Sequence, residues 1–74
     1  MKQITIKNCG EQWTITTDTE EIFNETMRAL YQCIEGSIKS VTITFPTVDV
    51  IFTAGFLQNS LITITKQNTT ETTN

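Results

Sequence analysis

The sequence predicts a small α+β domain in which a helix covers one face of a sheet. Three features support this: two alternating runs around a short turn, an amphipathic segment at Asp18–Glu35, and a third alternating run at 41–45. Alternation with a period of two is typical of half-buried strands, whereas apolar residues three and four positions apart indicate a helix. The chain has 74 residues, enough for one domain with a modest core. We therefore assign residues 1–66 to a single domain and 67–74 to a polar C-terminal tail.

The first two strands are predicted to form a β-hairpin. Lys2–Lys7 and Gln12–Thr17 each alternate large apolar residues with polar ones. The intervening Asn8–Glu11 contains Asn and Gly, which tolerate the positive φ of tight hairpin turns. Trp13 shares a face with Ile15, so core packing is its expected role.

The helix is predicted from its cap, its apolar stripe and its stop. Asp18 is the expected N-cap, with Glu21 three residues later completing a capping-box pattern. Gly36 is the expected C-terminal stop, because glycine readily adopts the left-handed conformation that ends helices. The stripe at helical spacing consists of Ile22, Phe23, Thr26, Met27, Leu30, Cys33 and Ile34.

The second half of the domain begins with a predicted strand, Val41–Phe45, which Pro46 ends. Two interpretations of the following residues remain open. Alternation at 48–52 and 62–65, with many β-branched residues, favours strands. A helix starting at a Thr53 N-cap is the alternative. Its stripe would consist of Phe56, Leu57, Ser60, Leu61 and Ile64.

The strands share one pattern, with aliphatic residues on one face and threonine on the other. This is typical of an antiparallel sheet that is covered on one side and solvated on the other. The threonine side is nearly uncharged, so it is either solvated or packs against a second copy. Because the chain is short and its strand edges are predicted to be exposed, we expect a homo-oligomer.

Charge and hydropathy exclude several partners. The net charge is −3, and the five basic residues are scattered along the chain. Nucleic-acid binding requires clustered Lys and Arg, so no nucleic-acid partner is expected. No apolar run approaches the ~20 residues that span a bilayer, so no membrane association is expected. The N-terminus alternates like a strand and lacks the apolar core of a signal peptide, which predicts a cytoplasmic protein.

The sequence offers no pattern for catalysis or metal binding. It contains no histidine, the commonest general base. Cys9 and Cys33 lie far apart without zinc-ligand spacing, and Cys33 is expected to be a buried structural thiol. Glu20, Glu21 and Glu25 are explained by the favourable interaction of carboxylates with a helix N-terminus. We therefore expect no enzyme activity, no cofactor and no metal.

The segment Val41–Phe56 (VTITFPTVDVIFTAGF) resembles the core of STAS domains, the anti-sigma-factor-antagonist family. In that family a buried strand, a small turn and a valine precede an Asp-Ser-Ser-Gly-Leu-like stretch that starts a helix. Here Phe52 occupies the place of the Asp, and Thr53 occupies that of the phosphorylatable serine. With the hairpin and helix before it, the resemblance covers nearly the whole chain but only the first half of a usual STAS domain.

The resemblance implies a non-enzymatic partner-switching module. The binding residues it implies are Thr53, Ala54, Gly55, Phe56 and Leu57, with phosphorylation at Thr53. Our leading hypothesis is a small protein-interaction module, with a protein partner and homo-oligomerisation. The alternative is a small-ligand- or nucleotide-sequestering protein of a mobile element, suggested by the small size and the many Thr and Asn side chains able to hydrogen-bond a ligand.

Overall fold

The computed structural model describes residues 2–66, which form two antiparallel sheets and two helices. The elements are β1 (Lys2–Asn8), β2 (Glu11–Thr17), α1 (Glu20–Glu35), β3 (Ser40–Thr44), β4 (Asp49–Thr53), α2 (Ala54–Gln58) and β5 (Leu61–Lys66). The strand order is β2-β1-β5 in the three-stranded sheet, and β3 pairs with β4 in the two-stranded sheet. The predicted α+β class is confirmed, with the strands divided between two sheets. The predicted tail, 67–74, lies outside the described residues.

A two-residue turn joins β1 to β2. Cys9 and Gly10 have φ values of 50° and 84°. Positive φ at both central positions is the requirement of a type I′ turn, whose twist matches that of the strands on either side. The predicted turn is confirmed, and the ladder extends to the Asn8–Glu11 pair directly beside it.

The three-stranded sheet has an apolar face and a polar face, as predicted. Ile4 and Ile6 of the central strand β1 are completely buried. On the other face, Thr5 lies between Thr14 of β2 and Thr63 of β5. The apolar cross-strand neighbours of the two isoleucines are Trp13, Ile15, Ile62 and Ile64. We call the opposite surface, with Thr5, Thr14, Thr16, Thr63 and Thr65, the threonine face.

The start of α1 differs from the prediction. The N-cap is Thr19 and not Asp18: Thr19 has extended backbone angles, and its hydroxyl accepts the Ile22 N–H at 3.1 Å. The predicted capping box of Asp18 and Glu21 is therefore wrong, because the residue after Asp18 already satisfies a free amide of the first turn. The predicted stop is confirmed, since Gly36 is left-handed (φ 93°) and its N–H donates to the Cys33 carbonyl at 3.1 Å.

The apolar stripe of α1 packs into the core over most of its length. Leu30 and Cys33 are completely buried, which confirms the structural role predicted for Cys33. Ile22 does not follow the prediction, because 46% of its surface is exposed in the first turn. There the Lys2 side chain covers Phe23 instead, with its ammonium 4.3 Å from the ring centroid. None of the helices in residues 2–66 is long and apolar enough to cross a membrane.

After Pro46, each of the two open interpretations is correct for part of the segment. Alternation correctly predicted β4 and β5, and Thr53 does cap a helix, α2. That helix ends at Gln58, so the stripe predicted to continue through Leu61 and Ile64 is wrong. Those two residues lie in β5, where pairing with β1 satisfies backbone groups that a longer helix would have satisfied internally.

One core joins all the elements. Its fully buried apolar residues are Ile4, Ile6, Leu30, Cys33, Phe52 and Leu57. The two sheets share no ladder, so side chains must hold them together. Phe52 of β4 is central to this contact: the Trp13 ring of β2 meets it edge-on at 6.4 Å and lies 5.4 Å from the Phe45 ring.

Replacing Phe52 tests this arrangement, because it is the largest fully buried side chain. We expect Phe52→Ala to lower the free energy of unfolding by about 3–5 kcal/mol. A domain of this length has a stability of about 4–11 kcal/mol, so the variant should be largely unfolded or close to it. Urea denaturation followed by Trp13 fluorescence measures the change. Phe52→Leu is a milder change with an expected loss of about 1–2 kcal/mol, so its free energy of unfolding can still be measured.

The matched control is the neighbouring Ile51, which is 64% exposed. Ile51→Ala should change the free energy of unfolding by no more than about 0.5 kcal/mol. Equal losses for the Phe52 and Ile51 variants would contradict the central role of Phe52.

Candidate functional site

The five residues implied by the STAS resemblance lie consecutively at the end of β4 and in α2, and they differ in accessibility. Thr53 is exposed, and its hydroxyl accepts the Phe56 N–H at 3.3 Å. Gly55 is exposed, while Ala54 and Phe56 are half-buried. Leu57 is only 2% exposed and belongs to the core, so its side chain is not presented at the surface. Thr53 and Phe56 are therefore the side chains of this group that line a surface groove.

This groove, which we call the β4 groove, has a volume of about 230 Å³. It lies between the start of β2 and the strand β4. Its lining residues are Glu11, Trp13, Val50, Ile51, Phe52, Thr53 and Phe56. Because four consecutive residues of β4 line it, from both faces of the strand, the groove follows the strand direction.

The floor of the β4 groove is aromatic. The rings of Trp13 and Phe52 meet edge-on, and the Phe56 ring lies 5.7 Å from that of Phe52. Phe52 is buried, whereas Trp13 and Phe56 are half-buried and form the accessible part of the floor. Ile51, on the opposite face of β4 from Phe52, forms the rim and is 64% exposed. The groove is therefore a surface where apolar area remains in contact with water.

The charge at the groove is negative. Among the described residues that line it, Glu11 is the one that carries a charge. Its side chain is exposed, and Asp49, at the start of the same strand β4, is exposed too. The groove thus combines an apolar floor with a carboxylate in its lining.

Asn8 holds α2 in the position that forms the groove. Its side-chain amide donates to the Phe56 carbonyl and to the Ser60 hydroxyl, both at 3.1 Å. The Ser60 hydroxyl donates in turn to the Phe56 carbonyl at 2.6 Å. On the other side, the Gln58 amide donates to the Ile34 carbonyl at 2.9 Å and so ties α2 to the end of α1. These contacts explain why a helix of five residues is stable.

Sequence reasoning missed Trp13, Ile51, Glu11 and Asn8 at this site. Trp13 was assigned to the core, which is half correct, since it contributes to both the core and the groove floor. For Ile51 a signal existed: the run Val50-Ile51-Phe52 breaks the alternation of the strand and places an isoleucine on the outer face. No local pattern marks Asn8, because its partners lie 48 and 52 residues away in the sequence.

Other chemistry-bearing groups do not line the groove, although the depression beside Cys9 shares Glu11 with it. Cys9 is an exposed free thiol in the hairpin turn, next to an open depression of about 370 Å³ formed by 7–12 with Asn59 and Leu61. The carboxylates of Glu20 and Glu21 lie in the first turn of α1, and Glu20 pairs with Lys2 at 3.0 Å. Over the described part of the chain, no three Cys, Asp or Glu side chains converge as metal ligands would.

In comparisons with known proteins, the chain matches no family model, no curated protein and no solved structure. The chemistry of the β4 groove is therefore the basis for a functional proposal.

Replacing Asn8 tests how the groove is positioned. Asn8→Ala removes two part-buried hydrogen bonds, and we expect a loss of about 1–3 kcal/mol in the free energy of unfolding. Amide exchange at Asn59 and Ser60, which donate to carbonyls of α2, should accelerate more than exchange in β1. The control is Asn59→Ala, whose side-chain bond to the Gly55 carbonyl is exposed. Equal effects of the two variants would contradict the proposed role of Asn8.

Proposed function

We propose that the protein is a small non-enzymatic interaction module that binds a protein partner in the β4 groove. The observation that carries this proposal is the exposure of Ile51, 64%, beside an accessible floor of Trp13 and Phe56. Contiguous exposed apolar surface bordered by polar residues is typical of protein-binding sites. Aromatic residues such as Trp and Tyr are also the side chains that most often dominate binding energy.

The partner we propose is an extended segment carrying a large apolar residue. The groove runs along β4, which forms its ladder with β3 alone within residues 2–66, so an extended chain fits its direction. Its volume of about 230 Å³ suits one or two side chains. That volume is below the roughly 300–1,000 Å³ of typical small-molecule sites, which favours a peptide over the ligand-sequestering alternative.

The charge of the groove further defines the partner. Glu11 lies in the lining, and the whole chain has a net charge of −3. A Lys or Arg next to the apolar anchor would complement Glu11, whereas an acidic segment would be repelled. We therefore propose a partner segment with one large apolar residue flanked by basic ones.

The STAS resemblance supports regulation at Thr53. This residue is exposed, lines the groove, and caps α2 with its hydroxyl. A phosphate there would add about 1.5–2 negative charges to a groove whose lining already contains the carboxylate of Glu11. Phosphorylation would then alter the affinity for a basic partner, as expected of a partner-switching module.

Selection from a displayed library of random peptides tests the binding site. We expect the wild-type protein to enrich peptides that contain a large apolar residue next to Lys or Arg. Ile51→Asp should weaken binding of a selected peptide by about ten- to a hundredfold, because it replaces an apolar contact worth about 1.5–3 kcal/mol. Fluorescence anisotropy of the labelled peptide measures the affinity.

Thr42→Asp is the matched control for Ile51→Asp. Thr42 lies directly opposite Ile51 on the same face of the two-stranded sheet, it is exposed, and it does not line the groove. It should leave the affinity within about twofold of the wild type. The site is refuted if no peptide is enriched, or if the Thr42 and Ile51 variants weaken binding equally.

A charge at Thr53 tests the regulatory part. Thr53→Glu should lower the affinity for the selected basic peptide several-fold. This effect should become smaller as the salt concentration rises, since ions screen exposed charges. Thr53→Ser keeps a capping hydroxyl without added charge and should bind like the wild type. Unchanged or tighter binding of the Thr53→Glu variant in the same anisotropy assay would overturn the regulatory proposal while leaving the binding site standing.

A further inference from the structure

The strand β5 differs from the other strands in how little of it is covered. Leu61 is 61% exposed on the threonine face, and Ile64 is 40% exposed on the apolar face. Ile4, which lies directly opposite Ile64 on β1, is completely buried. Of the residues described in β5, only Ile62 packs against the core, so coverage by the core thins along this strand, and apolar side chains of β5 remain in water on both faces of the sheet.

The outer edge of β5 also lacks the usual protection of an edge strand. Within residues 2–66, β5 forms its ladder with β1 alone. Its first five residues, Leu61–Thr65, contain no charge, no proline and no glycine. Natural edge strands are commonly blunted by charges, proline or bulges, because a free edge can pair with another chain.

The opposite edge of the same sheet is protected. The outer side of β2 faces the β3–β4 hairpin across a cleft lined by 14–16 and 43–46, and Trp13 packs there against Phe45. The two-stranded sheet carries Pro46 in its turn and Asp49 at the start of β4. Within residues 2–66, β3 also has an unpaired and uncharged edge, but it is five residues long against six in β5 and exposes no large apolar side chain. Of the described strands, β5 therefore best combines an unprotected edge with exposed large apolar residues.

We propose that β5 is the interface through which two copies of this chain form a two-fold symmetric dimer. Its outer edge pairs antiparallel with β5 of the second copy, which joins the two three-stranded sheets into one of six strands. Antiparallel pairing is the arrangement that two identical edges related by a two-fold axis adopt, and it continues the antiparallel ladders already present. This interface is separate from the β4 groove, because no described residue of β5 lines the groove and β1 lies between β5 and β2.

The sequence of β5 is complementary to itself in one register. Residues directly opposite each other in a ladder must point to the same face. With Thr63 opposite Thr63 of the partner subunit, Ile62 lies opposite the partner subunit's Ile64. Leu61 then lies opposite the partner subunit's Thr65. Both exposed apolar residues gain a neighbour, and no two charges of like sign are brought together, although each chain has a net charge of −3.

The size of the edge sets the strength of the dimer. Pairing of six residues buries less than the roughly 1,600 Å² of a standard protein interface. We therefore expect an equilibrium between monomer and dimer that depends on concentration. Sedimentation equilibrium of the full 74-residue chain over a wide concentration range measures it. The expected result is a mass that rises from one copy toward two.

Charge substitution at the symmetry axis locates the interface. Thr63→Glu places two carboxylates opposite each other and should raise the dimer dissociation constant by roughly five- to tenfold. Thr14→Glu is the matched control, since Thr14 and Thr63 are both exposed neighbours of Thr5 on the threonine face, on opposite sides of β1. Thr14→Glu should leave the dimer dissociation constant within roughly twofold of the wild-type value. Mixing Thr63→Glu with Thr63→Lys chains should restore association, because opposite charges then meet at the axis.

A monomer at every concentration would overturn the proposal. So would a dimer that the Thr14 and Thr63 variants weaken equally, or a charge mixture that associates no better than Thr63→Glu alone. Circular dichroism of each variant, which should match that of the wild type because both sites are exposed, separates lost association from lost folding. Peptide binding in the β4 groove should be unchanged in Thr63→Glu, so the two proposals can fail independently.

Discussion

The packing of Phe52 is the constraint on which the rest of the structure depends. Within residues 2–66 the two sheets share no hydrogen-bonded ladder, so side-chain contacts and the connecting chain hold the β3–β4 hairpin to the body of the domain. Phe52 is 1% exposed and meets Trp13 of the three-stranded sheet and Phe56 of α2. The Cys33 thiol of α1 lies 3.8 Å from the Phe52 carbonyl. One residue thus contacts the main helix, the short helix and the opposite sheet.

The proposed binding surface follows from the same strand. Because neighbouring residues in a strand point to opposite faces, burying Phe52 places Ile51 and Thr53 outside. The aromatic contacts that unite the sheets also leave Trp13 and Phe56 half-buried, and these form the accessible floor of the β4 groove. Core and groove therefore share side chains, and a change that repacks one will alter the shape of the other.

A small core also explains why apolar surface remains exposed elsewhere. The chain has too few residues to cover both faces and both edges of a five-strand arrangement. Leu30 and Cys33 of α1 share one core with the isoleucines of β1 and with Phe52 of β4. The strand β5, by contrast, is left with Leu61 and Ile64 in water. A monomer tolerates a small exposed apolar area of this kind. The same area becomes buried when the protein associates with a partner or a second copy. The fold thus has two surfaces with exposed apolar area, the β4 groove and the edge strand β5, and no described residue of β5 lines the groove.

The sequence by itself determined the local elements whose signals are contained in neighbouring residues. These are the β1–β2 hairpin with its Cys9–Gly10 turn and the stop of α1 at Gly36. The cap at Thr53 belongs to one of two interpretations that the sequence leaves open, and the structure decided in its favour. Tertiary structure decided the rest: where α2 ends, which strands share a ladder, and the hydrogen bond from Asn8 to the Phe56 carbonyl. Those outcomes depend on contacts between residues far apart in the chain, such as β5 with β1, and periodicity within a short window carries no information about them. The β4 groove belongs to this second group, since it exists only where β2 and β4 come together.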